Sequence, residues 1–245
     1  MYFLIFRIVV LIILYFIFYI GYVYFGLGNW WIKFTTSLFL KVANIKKLTI
    51  NNEKKVEELY NSDKKFIIVL NHKCIFDMWI TVSVNPNVCI LTSKVGAKLF
   101  PGMYELNKKI GSIIFDSTVK NRRVTDLIYD KISNRKAKDN MLIAYPDAME
   151  PIPIGKNIAN FKTGAFRHKF DILPIVIKYK NWSIDPTYYW YKGEHPFIGF
   201  SKVLLDGNCK VTVDIMDLVS CKDDMSVEEY RDYVYDLMDT RYSQL

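Results

Sequence analysis

The pattern of apolar and polar positions changes sharply along the chain. At the start, no charged residue occurs between Arg7 and Lys33. The apolar segment from Ile8 to Ile32 is long enough to cross a hydrocarbon core of roughly 30 Å as one helix. Two tryptophans near its end are typical of a membrane interface. We therefore predict a membrane anchor over residues 1–33.

Three alternatives compete with a spanning helix. A cleavable signal peptide is disfavoured because the apolar run is long and no A-x-A-like cleavage site follows it. A buried core helix has the same composition, and a helix lying in one leaflet satisfies the same pattern. Four lysines follow the segment, and this favours a cytoplasmic location for the rest of the chain, at the endoplasmic reticulum in a eukaryotic host. They are Lys33, Lys41, Lys46 and Lys47.

After the anchor, apolar runs rich in β-formers alternate with helical patterns, which predicts an α/β domain over residues 34–220. The predicted strands are Phe66–Leu70, Val88–Leu91, Ile113–Phe115, Met141–Tyr145, Leu173–Tyr179 and Val211–Ile215. The predicted helices are Thr36–Ile45, Asp77–Val84, Arg122–Ser133 and Phe161–Phe170, with a polar turn at Asn51–Lys55. A C-terminal helix within residues 221–245 begins near Val227, because Ser226 and Glu229 form a capping box.

Composition and charge narrow the class of protein. Of the 245 residues, 51% are hydrophobic, which excludes intrinsic disorder as the main state. The chain combines a net charge of +8 with an apolar N-terminal segment. This combination suggests that the protein binds a membrane surface or an anionic ligand rather than nucleic acid. The four cysteines show no metal-binding spacing and no disulfide framework. No metal site is expected.

One histidine stands out among the three in the chain. His72 follows an apolar predicted strand, and Asp77 lies five residues on. If His72 occupies the turn after the strand and Asp77 the first turn of the next helix, the carboxylate can fold back onto the imidazole. Such a pair is suited to general-base chemistry. By contrast, His168 lies in a basic stretch and is interpreted as a surface residue, and His195 has no obvious carboxylate partner.

Several motifs in order resemble those of the glycerolipid (lysophospholipid) acyltransferase family. Its N-H-x4-D block matches Asn71, His72 and Asp77. The other matches are Gly111, Phe115 and Asp116 of a second block, Pro146 and Asp147 of a third, the sequence FKTGA from Phe161, and Pro174 in a final strand. Together the blocks cover about Phe66 to Tyr179.

The resemblance implies a mixed sheet flanked by helices and transfer of an acyl group from acyl-CoA to the hydroxyl of a lysophospholipid. His72 would be the general base and Asp77 would orient it. The resemblance implies no cofactor, no metal and no covalent acyl-enzyme. Acyl-CoA would be a co-substrate, and the other partners would be the lysophospholipid acceptor and membrane lipids. The residues expected to bind substrate are Asn71, Gly111, Pro146, Asp147, Glu150, Lys162 and Gly164.

The chain departs from the family pattern at two places. Ser117 replaces the arginine that ends the second block, and Ala148, Met149 and Glu150 replace the Gly-Thr-Arg of the third. Those arginines are associated with the acceptor's phosphate, and Glu150 would repel a phosphomonoester. We therefore expect an acceptor with a zwitterionic head group, whose choline or ethanolamine cation Glu150 would face.

Other functions remain as alternatives. The altered third block is compatible with a catalytically silent relative that binds lipid or a protein partner, and the acceptor of an active enzyme could instead be a monoacylglycerol, glycerol phosphate or another alcohol. Cys74 is more simply a packing residue than a nucleophile. No G-x-S-x-G elbow supports a serine hydrolase.

Overall fold

The structure is a computed structural model that describes residues 2–73, 76–98, 101–116, 122–147, 152–180, 204 and 209–245. The chain divides into two compact units built from separate stretches. Unit 1 contains Met1–Asn51, His72–Pro86 and Ile177–Val213. Unit 2 contains Asn52–Asn71, Asn87–Val176 and Asp214–Leu245. The division into residues 1–33, 34–220 and 221–245 stays a prediction.

Unit 1 begins with two helices, α1 (Tyr2–Val23) and α2 (Asn29–Val42), where the apolar pattern predicts a single helix over residues 8–32. The prediction of one continuous helix is wrong because two glycines interrupt it. Gly26 has a positive φ of 62°, a conformation that glycine adopts at little cost, and Gly28 precedes α2 in an extended conformation. The predicted helix at 36–45 is therefore the second half of α2.

The segment Leu4–Val23 of α1 is long and apolar enough to cross a membrane. One face of α1 is buried within unit 1 through Leu11, Tyr15 and Phe18. The remaining surface carries exposed apolar side chains, as a helix in contact with lipid requires. They are Ile5, Phe6, Val9, Ile12, Ile13, Phe16, Ile17 and Ile20.

Two further elements precede the predicted domain core. Strand β1 (Ile45–Asn51) belongs to unit 1, and helix α3 (Glu53–Tyr60) belongs to unit 2. The polar turn predicted over residues 51–55 is therefore wrong: β1 ends at Asn51 and α3 begins at Glu53. A single residue in the left-handed conformation, Asn52 with φ 62°, separates the two elements along the chain.

Unit 2 contains a parallel sheet that fits the predicted α/β class. Its strands are β2 (Phe66–Leu70), β3 (Val88–Ser93), β4 (Ile113–Phe115), β5 (Met141–Ala144) and the first part of β6 (Asp171–Lys180). They lie in the order β6-β2-β5-β3-β4. The register pairs Phe66 with Asp171, Ile68 with Ile143, Cys89 with Leu142 and Leu91 with Ile113. An antiparallel bridge joins Ile172 to Val219, so the pairing in unit 2 is mixed.

Helices surround this sheet. They are α5 (Lys94–Ala97), α6 (Met103–Lys109), α7 (Arg122–Ser133) and α8 (Val227–Gln244). The predicted capping box at the start of α8 is present, since Ser226 and Glu229 each accept a backbone N–H of the other. The core of unit 2 joins the strands to α7 and α8, with Ile67, Ile128, Leu142, Phe166 and Tyr230 almost inaccessible to solvent.

The predicted helix at Phe161–Phe170 is wrong. Only a 3₁₀ turn, Thr163–Ala165, forms there. Phe161 and Phe166 are both buried in the core of unit 2, with ring centroids 6.2 Å apart. Both rings therefore contribute to the core from a loop rather than from a helix.

In unit 1, helix α4 (Asp77–Val84) has the predicted bounds. Strand β7 (Cys209–Ile215) begins in unit 1 next to β1 and next to β6. Helix α4 packs on aromatic side chains of the N-terminal helices, and its Trp79 stacks on Phe39 with ring centroids 4.1 Å apart. Phe18 of α1 meets the same indole edge-on at 5.4 Å. These contacts fix the helix that carries Asp77.

Candidate active site

The sequence places the two candidate catalytic residues at either end of a short connection. Strand β2 is buried along its whole length and ends at Leu70. The polar residues Asn71 and His72 come directly after it. Asp77 is the first residue of α4, where a carboxylate interacts favourably with the positive end of the helix dipole. The chain from His72 to Asp77 is thus a loop rather than a continuous helix.

The Asp77 carboxylate folds back onto the imidazole. His72 Nδ1 lies 2.7 Å from Asp77 Oδ2, and the side chains are 22% and 0% exposed, respectively. A carboxylate only accepts hydrogen bonds, so Nδ1 carries the hydrogen and the lone pair of neutral His72 lies on Nε2. This tautomer is the one that a general base requires, although the catalytic roles of both residues stay predictions.

Two further donors hold the buried carboxylate. The backbone N–H of Lys73 donates to Asp77 Oδ2 at 2.5 Å, and the hydroxyl of Tyr179 near the end of β6 donates to Asp77 Oδ1. Thr81 also donates to the backbone oxygen of Asp77, at 2.7 Å. A buried carboxylate is costly unless it is hydrogen-bonded, and the donors at Oδ1 and Oδ2 meet that requirement.

In unit 2, the carboxyl ends of the parallel strands bring family blocks to one edge of the sheet, where ligands bind in open α/β sheets. Asn71 follows β2 and is fully buried, and Asp116 follows β4. Lys94 follows β3, and its ammonium group lies 3.1 Å from Asp116 Oδ2. This edge therefore carries polar and charged side chains from separate stretches of the sequence.

The third block and the F-K-x-G-A block also meet within unit 2. Pro146 and Asp147 follow β5, and both are buried. The backbone N–H of Lys162 donates to the carbonyl oxygen of Pro146 at 2.8 Å. The Lys162 side chain and Gly164 are exposed. The structure thus brings together the backbones of two predicted substrate-binding residues, Pro146 and Lys162.

Gly111 lies elsewhere. It precedes β4 at the amino edge of the parallel sheet, with φ 75°, and a Cβ atom there would lie 2.9 Å from Lys131 Nζ. The turn and the close lysine explain a glycine at this position without a substrate. A cleft of about 690 Å³ opens at the same edge, lined by residues that include Ile113, Lys131 and Asn140.

Several residues singled out in the sequence lie outside the described residues. They are Cys74, Ser117, Ala148, Met149, Glu150 and His195. His168, interpreted as a surface residue, is half-buried: its Nε2 lies 3.0 Å from the carbonyl oxygen of Thr125. Burial raises the pKa of the Cys89 thiol to about 11, so this cysteine is protonated at neutral pH and serves packing.

Sequence reasoning missed Tyr179. It lies near the carboxyl end of β6, and a polar side chain at the end of a predicted strand was a usable signal. The Lys73 amide could not be found from residue types, because every non-proline residue has a backbone N–H.

Comparison with known proteins agrees with the resemblance. A family model described as Acyltransferase matches residues 47–178, more than half of the chain. The chain belongs to the acyltransferase family. The matched region contains His72, Asp77 and the later blocks.

A relative and a solved structure add detail. Over 150 residues, the chain is 24% identical to the 1-acyl-sn-glycerol-3-phosphate acyltransferase of Saccharomyces cerevisiae, covering 59% of this chain and 49% of the yeast protein. The chain thus spans about half the length of this curated relative. The crystal structure of the 1-acyl-sn-glycerophosphate acyltransferase PlsC from Thermotoga maritima superposes with a TM-score of 0.59 at 19% identity, covering 96% and 95% of the two chains. This similarity confirms the α/β fold with helices flanking a mixed sheet.

Proposed function

We propose that this acyltransferase moves an acyl group from acyl-CoA to the hydroxyl of a lysophospholipid, with His72 as general base and Asp77 as its orienting carboxylate. The observation that carries the proposal is the 2.7 Å contact between a partly exposed imidazole and a fully buried carboxylate. A partly exposed imidazole can reach a substrate, and the hydrogen bond to the buried carboxylate holds the ring in place.

The chemistry follows from this pair. His72 Nε2 takes the proton as the acceptor hydroxyl oxygen attacks the thioester carbonyl, and Asp77 stabilises the imidazolium that forms. The tetrahedral intermediate then collapses, the carbon–sulfur bond breaks, and the thiolate of coenzyme A takes the proton from the imidazolium. The products are the ester and free coenzyme A. The developing oxyanion needs hydrogen-bond donors.

Lys162 and Gly164 are proposed to hold a phosphate of one substrate, together with Asn71 and the loop at Pro146 and Asp147. The exposed Lys162 ammonium group and its backbone link to Pro146 support this role. Because the segment is a short 3₁₀ turn, the lysine charge rather than a helix dipole would supply the attraction.

The acceptor head group is a separate part of the proposal. The yeast relative is named for 1-acyl-sn-glycerol 3-phosphate, whereas this chain has Glu150 in place of the arginine of the third block. A carboxylate repels a phosphomonoester and attracts a quaternary or primary ammonium group. We therefore propose lysophosphatidylcholine or lysophosphatidylethanolamine as the preferred acceptor.

Membrane association supports a lipid substrate. Helix α1 presents an apolar surface, and the basic residues that follow it are exposed: Lys33, Lys41, Lys46 and Lys47. By the positive-inside rule, we propose that the acyltransferase region faces the cytoplasm, at the endoplasmic reticulum in a eukaryotic host.

The test is acyl transfer from labelled oleoyl-CoA by the purified full chain in mixed micelles. The acceptors are lysophosphatidic acid, lysophosphatidylcholine, lysophosphatidylethanolamine, monoacylglycerol and glycerol 3-phosphate. We expect labelled phospholipid from at least one lysophospholipid. Folded protein that binds the lipids but yields no ester would contradict the proposal and favour a silent, lipid-binding relative.

Head-group choice is tested with Glu150→Arg in the same assay. The wild type should prefer the zwitterionic acceptors, and the variant should shift toward lysophosphatidic acid. A wild-type preference for lysophosphatidic acid would reject the head-group proposal while leaving acyl transfer intact.

A further inference from the structure

The Asp77 carboxylate has a donor that lies one residue beyond the acyltransferase match, which ends at residue 178. The hydroxyl of Tyr179 donates to Asp77 Oδ1, whereas His72 Nδ1 and the Lys73 amide both donate to Oδ2. We propose that Tyr179 sets the basicity of His72 by taking up part of the negative charge of Asp77. This inference rests on the proposed role of His72 as general base.

The physical argument concerns donors that share one acceptor. A carboxylate raises the pKa of a neighbouring imidazole, because it stabilises the imidazolium. A second donor on the same carboxylate neutralises part of its charge and weakens that effect. Tyr179 therefore keeps His72 less basic than Asp77 alone would make it, and a larger fraction of His72 is neutral and able to take a proton near neutral pH.

Two charged residues, Lys178 and Lys180, flank Tyr179 in β6. Because side chains of successive strand residues point to opposite faces, both lysines extend from the face opposite to that of Tyr179. In the loop that carries His72, the Lys73 side chain is buried. Its charge is common to the wild type and to any variant at Tyr179, so it does not affect their difference.

Aromatic side chains of the N-terminal helices contact α4. Helix α2 contributes Phe39, and its Lys33 and Lys41 are exposed. Helix α1 contributes Phe18, and its Arg7 guanidinium donates to the carbonyl oxygen of Leu204. Tyr179→Phe thus removes one hydroxyl donor from Asp77 and leaves these aromatic contacts in place.

The test is Tyr179→Phe, which deletes only the hydroxyl. The pKa of His72 is measured by nuclear magnetic resonance on full-length protein in detergent micelles, where only three imidazoles titrate and the signal absent from His72→Ala identifies His72. We expect the pKa to rise by about half a unit in the variant. The acidic limb of kcat/KM should move up by the same amount, with a loss of about threefold on that limb.

Tyr230→Phe is the matched control. Tyr230 is fully buried in unit 2, and its hydroxyl donates to the carbonyl oxygens of Phe170 and Val219, at 3.1 and 2.7 Å. Loss of this hydroxyl should lower the melting temperature without moving the His72 titration. A structural effect is thereby separated from an electrostatic one.

An unchanged or lowered His72 pKa in Tyr179→Phe, or an equal rise in Tyr230→Phe, would overturn the inference. Failure of the proposed function is distinguishable, because it appears as a wild type that makes no ester from any acceptor. The imidazole titration does not require turnover, so it decides the role of Tyr179 in either case.

Discussion

Two buried charged side chains, Asp77 in unit 1 and Arg135 in unit 2, are held by several hydrogen bonds each, yet their surroundings differ. Arg135 is 4% exposed and donates to four backbone carbonyls around the end of α3, those of Leu59, Tyr60, Ser62 and Lys64, at 2.9 to 3.2 Å. Its guanidinium carbon also lies 5.0 Å from the ring centroid of Phe66. Asp77 instead has the imidazole of His72 among its donors, at 2.7 Å.

The difference separates a structural charge from a functional one. The carbonyls around Arg135 never change protonation state, so the guanidinium serves to satisfy the end of a helix. Histidine is the side chain whose unperturbed charge change lies closest to neutral pH, and the imidazole of His72 beside Asp77 is partly exposed to solvent. We therefore expect changes at Asp77 to affect catalysis and changes at Arg135 to affect stability.

The largest effect is expected from His72→Ala. Removal of a general base should lower kcat by about a thousandfold. The cost in stability should be only about 1 kcal/mol, since one donor to the buried carboxylate is lost. Initial rates and melting curves on the same preparations measure both quantities. A variant that retains a tenth of the wild-type kcat would contradict the role of His72.

Asp77→Asn should lower kcat by about a hundredfold or more, because the amide keeps the shape but cannot stabilise the imidazolium. Asp239→Asn is the control. Asp239 is also a buried carboxylate and accepts the backbone N–H groups of Asn157 and Ile158, at 2.6 and 3.2 Å, in unit 2. The Asp239→Asn variant should lose stability and keep its kcat per folded molecule. An equal loss of kcat in Asp77→Asn and Asp239→Asn would contradict the functional role of Asp77.

Arg135→Met should lower the free energy of unfolding by about 3 kcal/mol, because buried carbonyls lose a charged donor. The kcat of the folded fraction should be that of the wild type. Arg135→Lys should restore part of the stability with fewer hydrogen bonds. Denaturant unfolding followed by circular dichroism gives the free energies, and a stable Arg135→Met protein with reduced kcat would reverse the assignment.

Ser226→Ala should lower the free energy of unfolding by about 1 kcal/mol, the usual contribution of a helix N-cap, with no change in kcat.

Hydrogen bonds from the Ser226 backbone and side chain lower the pKa of Glu229. The stability from that carboxylate is present above its unfolded pKa and is lost as the pH falls through the lower, folded pKa. Glu229→Gln should therefore melt below the wild type at neutral pH, with the difference shrinking in acid.

The strands and the helix starts could be predicted where local signals were strong. β2 and β4 have the predicted bounds because continuous apolar runs end at polar residues, and α4 and α7 also match. The capping box at Ser226 located α8. For the candidate site, the spacing of His72 and Asp77 predicted their contact.

The remaining features depended on contacts that a linear pattern does not contain. The segment from Phe161 to Phe166 was predicted to be a helix, but it is a loop whose two rings pack in the core. The break at Gly26 lies inside an apolar run, where composition indicates a single helix. Tyr179 lies more than a hundred residues from Asp77 along the chain, so their hydrogen bond followed only from the folded strand.

The central claim is that Asp77 acts on catalysis only through His72. The most direct measurement is kcat/KM for His72→Ala, Asp77→Asn and the double variant, with the acceptor that the wild type uses best. Residues that act as a unit give non-additive losses, so we predict that the double variant is no slower than His72→Ala alone. A double variant slower by the product of the two single losses would show that Asp77 acts independently of His72 and would contradict the account.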